Sequence, residues 1–168
     1  SMSGAYRSIG INRNDFMSLI QMRPEGGAAF GTLEWVAYAS NAFNTMVPFY
    51  ADVDETPEYL ANTTGEVSTE NFYWTSRMIA AMADASYGKS LFHVEHYQEN
   101  VLAKSHALIN QYDALLADEK DPEKQMELKR KANRKVAEMV QKEASATLKK
   151  VLYELSNQMK NSYARSDV

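Results

Sequence analysis

The chain has 168 residues, enough for one domain with a substantial core and too few for two comfortable ones. Its formal net charge of −4 excludes the basic face that nucleic acid requires, and it has no run of 18 apolar residues to span a membrane. It contains no cysteine, which excludes a disulfide framework, a thiolate metal site and a thiol nucleophile within these residues.

Residues 1–4, Ser-Met-Ser-Gly, are expected to be a tag remnant or disordered, ahead of a single domain over 5–168. The N-terminus has neither a basic flank nor an apolar stretch, so no signal peptide is read there, and a cytoplasmic protein is expected. Asn12 to Met22 is predicted as a short helix, capped by Asn12 or Asn14, because Phe16, Leu19 and Ile20 fall at helical spacing. Arg23-Pro24 ends it, and the Gly-rich stretch Glu25 to Gly31 reads as a loop. Thr32 to Ser40 alternates and is rich in β-formers. Asn41-Ala42-Phe43-Asn44 is turn chemistry, and Thr45 to Tyr50 is a second strand whose Pro48 marks an edge or a bulge. Ala51 to Thr69 reads as an irregular acidic connector.

The rest is helical. Ser68 or Thr69 is expected to cap a helix from Glu70 to about Ser86, with Phe72, Met78, Ile79 and Met82 buried. Gly88 interrupts. A long helix follows from about Ser90 to Ala117, its stripe Val94, Tyr97, Val101, Ser105, Leu108, Tyr112 and Leu115. Asp121-Pro122 supplies an N-cap and a first-turn proline for a last helix reaching about Tyr163. Its stripe runs from Leu128 through Val136, Val140 and Ala144 to Met159. A short turn makes these two helices antiparallel neighbours, so the fold class is α+β: a strand and helix part over 5–87 and a helical hairpin over 88–164.

Candidate chemistry is sparse. His93 and His96, three apart with Glu95 and Glu99 nearby, could hold a metal only with a third ligand, and His106 is distant. Asp52, Asp54, Glu55 and Glu58 lack the glycine and spacing of a calcium loop and read as solvated. The basic face of the last helix, Lys129, Arg130, Lys131, Arg134 and Lys135, reads as solvated too. No metal or cofactor is expected.

The segment from Trp35 to Leu60, WVAYASNAFNTMVPFYADVDETPEYL, is more particular than the rest. Its tryptophan-bearing strand, small-residue turn, Val47-Pro48-Phe49-Tyr50 and Pro57-Glu58-Tyr59 resemble the C-terminal part of bacterial cysteine dipeptidases of the dipeptidase A type. Those belong to the N-terminal-nucleophile hydrolases, with penicillin V acylases and bile salt hydrolases. The helix with Tyr73-Trp74 followed by Arg77 and the upstream segment Tyr6 to Arg13 are similar as well. The resemblance implies a four-layer αββα sandwich of two antiparallel sheets between helix layers. It implies an N-terminal cysteine nucleophile with the free α-amino group as its base, an Asp and an Arg that orient the pair, and Asn side chains at an oxyanion hole. The implied substrates are dipeptides, hydrolysed without a metal.

The cysteine lies outside these residues. The chain is therefore expected to be the inactive C-terminal portion of a longer hydrolase, partnered by the rest of that protein or, alone, by a second copy of itself. Arg7 is the candidate near the nucleophile, and Asn41 and Asn44 are the candidates for facing substrate. The alternative is a non-catalytic interaction module that uses the helical hairpin as its binding face.

Overall fold

A computed structural model describes residues 14–160. Three strands form one antiparallel sheet, β1 (Phe16–Met22), β2 (Thr32–Tyr38) and β3 (Val47–Tyr50), in sequence order with β2 in the middle. The helices are α1 (Gly27–Phe30), α2 (Glu58–Ala61), α3 (Phe72–Ala85), α4 (Tyr87–Asp118) and α5 (Pro122–Ser156). The family-level expectation of an α+β chain with a helical hairpin holds in these coarse terms.

The predicted helix over Asn12–Met22 is corrected to strand β1; Asn12 itself lies outside the described residues. Every residue of Phe16–Met22 pairs with β2, from Phe16 opposite Tyr38 to Met22 opposite Thr32. A run as short as Phe-Met-Ser-Leu-Ile fits both periods, and the ladder offered by β2 decides between them. The Gly-rich stretch read as a loop is also corrected. It forms a 3-10 turn over Pro24–Gly26 and the four-residue α1, a turn of helix that Pro24 can begin because its ring fixes φ. Pro48 does lie on an edge strand, β3.

The sheet's two faces feed two clusters. Val36, Val47 and Phe49 join Phe72 and Ile79 of α3, Val94, Tyr97 and Val101 of α4, and Val136, Val140 and Val151 of α5. Leu33 and Tyr50, on the other face, meet Ile109, Tyr112 and Leu116 of α4 with Ala132 of α5. All four residues of β3 are buried. Its backbone is finished by a side chain: the Tyr50 amide donates to Asn133 Oδ1 at 2.8 Å, and Asn133 Nδ2 donates to the Tyr50 carbonyl at 3.0 Å. Among the described residues strand β1 has no such cover. Phe16, Leu19 and Ile20 are 51–58% exposed and Met22 is 80% exposed.

Helix α3 is capped by Asn71, whose Oδ1 accepts from the Trp74 amide at 2.9 Å, rather than by Ser68 or Thr69. Helix α4 starts at Tyr87, and exposed Gly88 sits in its first turn instead of interrupting. Its stripe ends on Ile109, Tyr112 and Leu116, with Leu115 turned out. Steps that average 3.5 residues drift against the 3.6-residue helix, and the buried line moves by one position over three heptads. Asp121 caps α5 as expected, accepting from the Glu123 amide at 3.0 Å. The helix ends at Ser156 rather than near Tyr163. Among the described residues no helix is long and apolar enough to cross a membrane.

The acidic connector and the basic face of α5 are not independently solvated. They close on each other as a zipper: Asp52 with Lys129, Asp54 with Arg130 in a two-point contact, and Glu55 with Arg134. Glu127 bridges Arg134 and Arg130. Hydrogen bonds from these arginines hold the Asp54 and Glu127 carboxyls below their ordinary range. Lys129 is almost wholly buried beneath Asp52. Gly31 makes room for this: its φ is +64°, and a Cβ there would collide with the Asp52 carboxylate.

Candidate functional site

A cleft of about 470 Å³ opens where the turn after β2 faces helix α3. Its floor is one stripe of α3, Arg77, Ala80, Ala81 and Asp84, spaced i, i+3, i+4 and i+7 as one helix face requires. One wall is Ala39, Ser40 and Phe43, and Asn14 with Asp15 form the rim.

Ala39 carries the described chain's positive φ outside glycine, 71°, a conformation that an L side chain adopts at a cost and that surrounding contacts must impose. The contacts are visible. The Ala39 amide donates to the Asp15 carbonyl at 3.0 Å, and its carbonyl accepts from Asn44 Nδ2 at 3.2 Å. The turn is closed by the Phe43 and Asn44 amides, both donating to the Ser40 carbonyl. Gln98 of α4 reaches across to donate to the Asn44 carbonyl at 2.7 Å. The wall is therefore fixed from β1's leading residue, from within the turn and from α4.

Arg77 is equally held. Its guanidinium lies 5.6 Å from the Tyr73 ring and 5.8 Å from the Trp74 ring, and its Nη1 pairs with Asp15. The aromatic pair and arginine read from sequence thus form one stack. Arg77 remains partly exposed to the cleft, with 38% of its side chain accessible. Asp84, at the other end of the floor, is exposed.

Of the sequence candidates, Asn41 is half-buried in the same turn, and Asn44 is buried with its amide nitrogen engaged on Ala39. Both belong to the turn that carries the wall, and neither is among the residues that line the cleft. Arg7 lies outside the described residues. The histidines do not converge: His93 faces Glu154 at 3.3 Å, His96 is exposed, and His106 stacks on Trp35 at 5.5 Å. Among the described residues no three His, Asp or Glu side chains are placed to share a metal ion. Asp15, Ala39, Ser40 and Asp84 were not read from sequence as site residues. The charge–Ala–Ala–charge pattern at i, i+3, i+4, i+7 was the signal available in α3.

A second polar cluster ties the end of β1 to α4. Arg23 is nearly buried and donates to Asp113 Oδ2 at 2.6 Å and to the Phe30 carbonyl at 2.5 Å. The Tyr50 hydroxyl donates to Asp113 Oδ1 at 2.7 Å, and burial pushes that phenol's pKa well above its ordinary value. Both Arg23 Nη atoms, both Asp113 oxygens and the Tyr50 hydroxyl are engaged, which marks it as a structural tie, although the buried Arg23 Nε has no hydrogen-bond partner among the described residues.

Comparison with known proteins bears on the cleft directly. Residues 2–100 match peptidase family C69, a span that contains every residue of the cleft and ends inside α4. A probable dipeptidase A of Streptococcus pyogenes serotype M18 (strain MGAS8232) is 41% identical over 164 residues, covering 96% of this chain and 33% of that protein. A dipeptidase of Bifidobacterium longum (strain NCC 2705) is 35% identical over 200 residues, covering 96% of this chain and 37% of that protein. Dipeptidase A of Lactobacillus helveticus is 31% identical over 108 residues, 64% of this chain and 23% of that protein. The chain therefore spans about a third of the length of the curated relatives that it matches almost throughout. With more than half of its residues inside the family match and these dipeptidases as relatives, the chain belongs to peptidase family C69, among proteins of the dipeptidase A type.

Proposed function

We propose that this chain is the C-terminal portion of a dipeptidase whose cysteine nucleophile lies outside it, and that it supplies one wall and the floor of the substrate cleft without acting alone. The observation that carries this is the relation of lengths: dipeptidase relatives match 96% of the chain, yet the chain covers only 33–37% of them. The lack of any cysteine supports placing the attacking thiol in the remainder. In this proposal the thiol attacks the peptide carbonyl and its own α-amino group takes the proton, which passes to the departing amine as the C–N bond breaks; water then hydrolyses the thioester, and no metal takes part. Asn41 and Asn44 are proposed to face substrate from the turn after β2, and Arg7 to stand near the nucleophile.

The three-stranded sheet is then one portion of a four-layer αββα hydrolase. Bare strand β1 supports this, since an exposed apolar edge is where further sheet adds. In isolation that edge pairs with a second copy of the chain. The parent enzyme is placed in the cytoplasm. A second proposal, an interaction module built on α4 and α5, is favoured by the exposed Phe92 and Tyr153 and by a family match that stops at residue 100. The test is to assay the whole parent protein, its N-terminal cysteine-to-alanine variant and this chain alone against several dipeptides. Activity in the first only is expected. Turnover by this chain alone, or by the alanine variant, would sink the proposal, and a parent gene with no cysteine ahead of these residues would favour the module.

A further inference from the structure

Resting on that dipeptidase proposal, we infer that Arg77 and Asp84 are the two ends of a seat for a zwitterionic dipeptide, Arg77 taking the terminal carboxylate and Asp84 the terminal ammonium. Both line the cleft, on one stripe of α3, separated by Ala80 and Ala81. Seven residues of helix place their Cα atoms roughly 10.5 Å apart. An extended dipeptide spans about 6 to 7 Å from its terminal nitrogen to its terminal carboxyl. With a hydrogen bond of about 2.8 Å at each end, an extended dipeptide is of the same order of length as this stripe.

The cation end is built to receive a carboxylate. The rings of Tyr73 and Trp74 fix the guanidinium plane, which leaves its fork free to pair in a defined direction. A carboxylate already sits there: Asp15 pairs with Arg77 at the rim, and its side chain is 62% exposed. An exposed pair of this kind is screened and weakly held, so an incoming carboxylate can replace it. Asp15 is thus a stand-in for the ligand's own carboxylate. At the other end, Asp84 has no ion-pair or hydrogen-bond partner among the described residues. Between them the two methyl groups of Ala80 and Ala81 offer a floor without pockets, so the seat reads the termini of the substrate rather than its side chains.

The experiment uses the full-length parent enzyme with a dipeptide, its C-terminal amide and its N-acetyl derivative. R77M is expected to lower the preference for the free acid over the amide, as the ratio of kcat/KM values, by about tenfold or more, the loss of one good charge-assisted contact. R77K should restore part of that preference. D84N should likewise erode the preference for the free amine over the N-acetyl form. D15N removes the stand-in and should lower KM for the free dipeptide, an effect opposite in sign to any loss of support. If the parent enzyme cleaves no dipeptide, the proposed function and this seat fail together. If it does, and R77M and R77K slow acid and amide alike while D15N raises KM, the seat alone is refuted and Arg77 is structural.

Discussion

At the β3 edge of the sheet, Asn133 returns both backbone groups of Tyr50, and helices bury all four residues of the strand. At the β1 edge, seven residues pair with β2 on one side, and among the described residues nothing pairs on the other, where four large apolar side chains are at least half exposed. Both edges belong to one sheet in one chain, so composition does not explain the contrast; β1 in fact carries more large apolar residues than β3. What differs is whether this chain supplies the cover. An edge finished by a buried amide is complete, whereas an apolar edge left bare is half of an interface. The β3 edge belongs to a core, and the β1 edge is proposed as a seam.

The comparison can be broken at its anchor first. Asp113 holds both Arg23, which directly follows β1, and Tyr50 on β3. Asp113→Ala leaves the Arg23 charge buried without its counter-ion, with only the Phe30 carbonyl still accepting from it, and a loss of about 3 to 5 kcal/mol is expected in urea denaturation. A loss below about 1 kcal/mol would mean that Arg23 escapes to water and that β1 is not tied through it. Next comes the finished edge. Asn133→Ala orphans a buried amide and a buried carbonyl, and should cost about 2 to 3 kcal/mol in the same measurement. Hydrogen exchange at the Tyr50 amide should accelerate with it, and an unchanged rate would show that another group closes that edge. The open edge should behave in the opposite manner. Ile20→Lys is expected to change stability by no more than about 0.5 kcal/mol. It should nonetheless reduce self-association of the isolated chain in sedimentation velocity. An unmodified chain that stays monomeric at high concentration would remove β1 as a seam.

The helices were legible because their burial is periodic over many turns. Val94, Tyr97, Val101 and Tyr112 of α4, and Val136, Val140, Ala144 and Val151 of α5, lie where the pattern put them. Strand β1 was not legible for a related reason: no core face disciplines its side chains, so its sequence holds no alternation to read. The zipper between Asp54 and Arg130 joins residues 76 apart, and only the fold brings them together. The site was legible in part. The Tyr73, Trp74 and Arg77 stack was visible as residues, but its partner Asp15 is 62 positions away. Ala39 gives no sign of its left-handed backbone, because a glycine or asparagine would ordinarily mark one.

The amide that completes β3 lies 83 residues downstream of it. During synthesis on the ribosome, the strands emerge long before α5 is available. Throughout that interval the nascent chain carries a sheet with both borders raw, a state prone to capture by neighbouring chains. The maturation of this region is therefore gated by its latest-made helix, and a chaperone or a co-translational contact would find its greatest use in that window.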